Sequence, residues 1–155
     1  MAFLAIKDCE KELDLIERQI DERLPAAITR VNEARARQLL STLKSTTDLE
    51  RIGDLVMSVA LRAQARSSKL PASDVRQLVE MSSVLREMLD LVHQGFSTLD
   101  VECARKVLQM DKEIDRVCHS LFQKHLAETV EQGDASGFEI LLMAQALERA
   151  GERAP

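Results

Sequence analysis

The nine residues Thr46–Asp54, TTDLERIGD, decide how this chain is read, because a weakened copy, AQALERAGE, returns at Ala144–Glu152. Internal repetition is the first signal to settle, since it dictates the architecture around it. In each copy two carboxylates stand four residues apart, Glu50 with Asp54 and Glu148 with Glu152, with an arginine after the first acid and a glycine before the second. Four residues apart on a helix means one face. Glycine inside a helix costs about 1 kcal/mol relative to alanine, so Gly53 and Gly151 mark places where a partner helix or a bound ion approaches the backbone. Rotation by about 100° per residue puts Leu49, Ile52, Val56, Val59 and Ala63 on one apolar face. Glu50 and Asp54 share a second sector with Leu39, Leu43, Met57 and Leu61, and Arg51 and Arg62 take the solvent side.

The rest of the composition supports helices. The chain has 155 residues, 45% apolar and 30% charged, enough for a real core. Aromatics make up only 3%, with 5 Gly and 3 Pro, which leaves little material for strands and hairpins. The expected fold class is all-α. A net charge of −5 without any basic run excludes a nucleic-acid surface. Cys9, Cys103 and Cys118 are odd in number and sit in helical apolar patterns, so they read as small core residues in a reducing compartment and not as a disulfide framework. No apolar run reaches the roughly 20 residues of a membrane span, and Met1–Ile6 is too short for a signal sequence. The expected location is the cytoplasm.

Taken in order, Phe3, Ile6, Cys9, Leu13, Ile16, Ile20 and Leu24 predict a first helix over Ala2–Leu24 that Pro25 ends or kinks. An acidic row, Glu10, Asp14, Glu17 and Asp21, flanks it as a solvated edge. Asn32 caps a second helix that runs through the repeat motif to Ala65. Ser67–Ser73 reads as a link. A third helix over Asp74–Phe96 carries Val75, Leu78, Leu85, Leu89, Val92 and Phe96 at bundle spacing. The fourth, Val101–Val130, contains Asp111-Lys-Glu-Ile-Asp115, which aligns with Glu10-Lys-Glu-Leu-Asp14. A turn is expected over Gln132–Gly137, and the fifth helix, from Phe138, holds the second motif copy. The repeat is therefore a helix pair. A two-unit division follows, 1–70 with two helices and 71–155 with three, packed as one body, the first unit lacking a counterpart of the third helix.

TTDLERIGD, ALERAGE, EKELD and DKEID together resemble the PhoU family of phosphate-signalling proteins, whose domain also forms cytoplasmic tails of sodium/phosphate cotransporters. The resemblance spans nearly the whole chain. It implies tandem antiparallel helical bundles, here without the first helix of the first bundle, and metal ions held by paired E(D)xxxD motifs. Carried over by position, one set is Glu10, Asp14, Glu50 and Asp54; the other is Asp111, Asp115, Glu148 and Glu152. Iron is the first expectation, with manganese, magnesium or zinc as alternatives. The implied partners are the ATPase subunit of a phosphate ABC transporter and a membrane sensor histidine kinase, reached from the inner face of the membrane.

A single E-x-x-x-D on a charged helix carries almost no information; four in register do. Carboxylates are hard oxygen donors, and a cation would relieve their mutual repulsion. His93, His119 and His125 do not match across the repeat and read as core-edge or surface residues, the six methionines as core filler, and Arg51 and Arg149 as members of surface salt bridges. No Glu-x-x-His pair, phosphate loop or nucleophile-histidine-acid set occurs, which favours a regulator over an enzyme. A cotransporter-type regulatory domain and a metal-free helical interaction module remain as alternatives. The apolar stripe of the first helix, left partly uncovered, predicts a homodimer or helix exchange.

Overall fold

A computed structural model describes residues 2–65, 70–132 and 137–154, with side chains at 3–65, 70–128 and 137–154. Its five helices are α1 (Ala2–Ile28), α2 (Glu33–Ala65), α3 (Ala72–Thr98), α4 (Val101–Gln132) and α5 (Phe138–Glu152). The described residues hold no strand. α1 and α2 form an antiparallel hairpin; α3, α4 and α5 pack on one another, and α2 joins the two groups by lying along α5.

Local signals account for most boundaries. The Asn32 Oδ1 accepts from the Arg35 backbone N–H at 3.0 Å and caps α2 as the sequence predicts. α1 departs from expectation, since it runs through Pro25 to Ile28. Proline removes one ladder hydrogen bond, that to the Asp21 carbonyl; both residues are exposed, so solvent can take its place. α3 begins at Ala72 and ends at Thr98, a little beyond its predicted span at each end. Leu99 then turns left-handed at φ 57°, and Asp100 starts α4 by accepting from the Glu102 N–H at 2.9 Å. Of the predicted link at 67–73, residues 67–69 lie outside the described residues and Ala72 and Ser73 are already in α3; most of the predicted turn at 132–137 lies outside them.

The core belongs to α3, α4 and α5. Met81, Met88, Ile114, Leu121, Ile140 and Met143 are fully buried there, each contributing on the order of 1.5–3 kcal/mol by area removed from water. The buried seam of α3 is Asp74, Leu78, Met81, Leu85 and Met88. Val75 and Phe96, predicted for that seam, are exposed, because the inward register is one step away from them. α2 contributes the buried Ile52, with Leu49, Val56 and Val59 packed beside it, while Ala63 is exposed and lies past the covered stretch. Among its described side chains α1 buries none completely, and Cys9 and Ile16 on its expected apolar stripe are exposed. Cys103 and Cys118 are core residues, and all three thiols are free.

Two ion pairs fix the register of α2 on α5. Arg62 donates to Glu139 Oε2 at 2.9 Å, and Arg153 to Asp48 Oδ1 at 3.4 Å, so the two helices run antiparallel. Arg62 is thus half-buried between helices and not on the solvent side. At the far end of the three-helix group, fully buried Asp74 meets Lys124 Nζ at 2.5 Å and His125 Nε2 at 3.2 Å, and His125 Nδ1 lies 2.9 Å from Glu128. His125 is therefore a buried, paired residue and not a core-edge one.

Candidate functional site

The repeat motif sits where two glycines let helices close. A Cβ on Gly53 would lie 2.8 Å from Leu13 Cδ1, and one on Gly151 would lie 3.0 Å from Asp111 Oδ1 and 3.1 Å from Ile114 Cδ1. Leu13 and Ile114 are the same position of the aligned EKELD and DKEID segments, so the two helix pairs close on equivalent contacts. Close approach is what the glycines were read to signal.

That closure sets the acids of one helix against those of its neighbour. In the α1–α2 pair, burial first and then Asp54, Glu17 and Asp14 push the Glu50 carboxyl above its ordinary value, against a downward pull from Arg51. Asp14, Glu17 and Glu50 are half-buried in this seam, and Asp14 is also paired with Arg18 at 3.4 Å. The acidic row on α1 is therefore only in part a solvated edge; Asp21 alone in it is fully outside. Glu10 stands lower on α1, with Leu13 and Gly53 at the rim of an apolar groove and not among the acids acting on Glu50.

In the α4–α5 pair the raised acid is on the other helix, at the counterpart of Glu10. Burial, followed by Asp115 and Glu152, pushes the Asp111 carboxyl up. Its Oδ1 is buried and has no hydrogen-bond partner. Such an atom calls for explanation, because an unsatisfied buried acceptor is costly. Glu148 accepts a hydrogen bond from the Cys118 thiol; burial, that acid and Asp115 push the thiol up to about 12. Cys118 aligns with Glu17, one turn beyond the quoted segments. The sequence held this signal: extending the EKELD–DKEID alignment by three residues places a carboxylate in one seam and a thiol in the other.

Chemically, both seams offer oxygen donors suited to hard cations. The orphaned Asp111 Oδ1 and the mutual repulsion of the acids are what a cation would relieve. Among the described residues, no three His, Cys, Asp or Glu side chains are gathered tightly enough to hold a metal ion as they stand. Asp54, Asp115 and Glu152 are exposed, while Glu50, Asp111 and Glu148 are partly covered. Arg51 and Arg149, expected in surface salt bridges, make none among the described residues. Among the described residues, no helix is long and apolar enough to cross a membrane.

The chain is similar to known proteins. The family model described as the PhoU domain matches residues 2–63 and 78–154. A Pseudomonas aeruginosa protein named phosphate-specific transport system accessory protein PhoU homolog is 28% identical over 96% of this chain and 64% of its own length. A Thermotoga maritima protein of the same name, homolog 1, is 26% identical over 96% of this chain and 66% of its own length. A Rhizobium meliloti PhoU homolog is 30% identical over 92% of this chain and 62% of its length. The chain thus spans less than two thirds of the length of these relatives. With both helix groups inside the matched residues, the chain belongs to the PhoU domain family.

Proposed function

We propose that this chain is a regulator of phosphate uptake and of phosphate-starvation signalling, a helical adaptor that binds metal and acts through protein contacts without catalysing a reaction. Family membership and the names of the relatives, accessory proteins of phosphate-specific transport, support the regulatory part. The observation that carries the metal part is the pairing of acids across both seams, with Glu50 and Asp111 raised by burial first and by neighbouring acids second, and Asp111 Oδ1 left unpaired. In this reading Asp14, Glu50 and Asp54, with Glu10 or Glu17, hold cations on the first pair of helices. Asp111, Asp115, Glu148 and Glu152 do so on the second. Iron comes first among the candidates, then manganese, magnesium and zinc. The exposed Asp54, Asp115 and Glu152 are the side chains that turn inward to complete coordination.

The proposed units are residues 1–70 and 71–155. The proposed partners are the ATPase subunit of a phosphate ABC transporter and a membrane sensor histidine kinase, met at the cytoplasmic face of the membrane. A second copy of the chain is the proposed cover for the first helix. Leu4, Leu15 and Ile16 of α1 are exposed, and an apolar groove of ≈ 440 Å³ opens between α1, α2 and Leu89. Sedimentation showing a monomer at high concentration would remove that element of the proposal.

Elemental analysis after exposure to iron, manganese and zinc tests the metal reading, with Glu50→Ala/Asp54→Ala and Asp111→Ala/Asp115→Ala variants alongside the unaltered chain. Stoichiometric metal that falls in each variant is the expected result. Absence of metal in all three samples leaves a metal-free helical adaptor and ends the metal reading.

A further inference from the structure

Arg51 and Arg149 line one cleft of ≈ 460 Å³ between α2 and α5, completed by Asp54 and Leu55 from α2 and by Glu152 and Arg153 from α5. Aligned by the repeat, the lining is the same three positions taken twice: Arg51 with Arg149, Asp54 with Glu152, Leu55 with Arg153. The antiparallel register fixed by Arg62–Glu139 and Arg153–Asp48 brings the equivalent arginines in from opposite walls, as across a two-fold axis. The cleft is thus a product of the repeat and of how its copies dock.

Both arginines are exposed, and neither makes a salt bridge among the described residues, although each has an acid three positions along its own helix in the same cleft. Their donors therefore remain available. A guanidinium group presents five N–H donors in a planar fork that matches the oxygens of carboxylate and phosphate. Two forks facing one another suit a tetrahedral acceptor, which can take hydrogen bonds from opposite sides at once. Arg153 is partly engaged with Asp48 at 3.4 Å and adds a third positive charge, so three guanidinium groups face two carboxylates. An adjoining cleft of ≈ 650 Å³ shares Glu152 and Arg153 and contributes Lys44. Asp48 lines it too, so the net positive charge stays with the arginine pair.

We propose that this pseudo-symmetric cleft binds a small tetrahedral oxyanion, inorganic phosphate in particular, between Arg51 and Arg149. The two carboxylates oppose the anion and hold its affinity down, so the site responds to millimolar rather than trace concentrations. The binding does not require metal, which separates it from the carboxylate reading above. Asp54 gives the two proposals opposite signs: its loss weakens metal uptake and strengthens the anion.

The test is a titration of inorganic phosphate into the metal-free full chain at fixed ionic strength, read by calorimetry and by the phosphorus resonance of the ligand. Arg51→Gln/Arg149→Gln and Asp54→Asn are titrated in parallel. Saturable uptake of one phosphate per chain is expected, weakened at least about tenfold in the double variant by loss of two charge-assisted contacts and strengthened in Asp54→Asn. Helicity recorded on the same samples shows whether the double variant is folded, and metal uptake by separate aliquots exposed to metal shows whether the carboxylate sites are independent. Equal phosphate binding in the unaltered chain and the folded double variant overturns the proposal, as does no saturable binding at millimolar phosphate.

Discussion

Ile114 on α4 is fully buried, whereas its repeat counterpart Leu13 on α1 is only partly covered. The same contrast runs along the pair: Leu147 is buried and Leu49 half-covered, and Met110 is half-covered where Cys9 is exposed. The sequences of the two helix pairs are similar enough to align, and their glycine contacts are equivalent. What separates them is α3, which packs on α4 and α5, while α1 packs on α2 alone. Repeated sequence therefore specifies the helix–helix seam, and a third helix specifies whether that seam becomes a core.

The largest expected difference is chemical. The Cys118 thiol is pushed up to about 12 by burial and by Glu148 and is closed off from solvent. Against an ordinary thiol that lowers the thiolate fraction about a thousandfold near neutral pH, before burial is counted. Alkylation of the native protein should label exposed Cys9 and leave Cys118 unmodified until the chain unfolds, as peptide mass mapping over time would reveal. Equal labelling of the two would mean that the second pair is as open as the first. Stability comes next. Ile114→Ala removes atoms from a filled core and should cost about 3–4 kcal/mol, Leu13→Ala only about 1–2 kcal/mol because its site is partly solvated already. Urea unfolding of the two variants measures the gap, and similar losses would show that α1 is covered in solution.

The glycines give a finer contrast. At Gly53 the only close atom is the end of the Leu13 side chain, which can swing into the open groove. Gly53→Ala should then lie within about 0.5 kcal/mol of the unaltered chain, since the helix-propensity gain offsets the adjustment. Gly151→Ala meets Asp111 Oδ1 and also Ile114, which the filled core holds in place, and should cost about 1–2 kcal/mol. The reverse order would place the tighter seam in the first pair.

The helices, the Asn32 cap, the repeat and the meaning of its glycines could all be read from sequence, because each rests on local spacing or on conformational cost. The seam of α3 could be read only in part. Periodicity shows that a stripe exists without choosing between neighbouring registers, and Val75 and Phe96 fell on the wrong side of that choice. Long-range pairs left no local trace. Arg62 reaches Glu139 on α5, and Asp74 meets His125 from another helix, so Arg62 read as a solvent-side residue and His125 as a core-edge or surface one. Glu17 is the instructive miss at the site. It was visible in the acidic row, but only the docking of α1 on α2 shows that it, and not Asp21, acts on Glu50.

The smallest effect separates the two seams by charge. Glu50 and Asp111 are held above their ordinary values of 4.5 and 3.8, in each case by burial first and neighbouring acids second. Between the ordinary value and the raised one, the folded chain binds more protons than the unfolded chain, so stability falls as pH rises through that window and the loss is complete above it. In metal-free protein at neutral pH, Glu50→Gln and Asp111→Asn should therefore raise Tm, by about 1–3 °C, and the gain should fade as pH is lowered through the window toward the ordinary carboxyl value. Asp111→Asn should gain more, because Arg51 already offsets part of the strain at Glu50 and nothing comparable acts on Asp111. A gain that persisted at acidic pH would assign the effect to packing instead of charge. Added metal should reverse the sign at any seam that binds it, since the substitution then removes a ligand that the bound cation had stabilised.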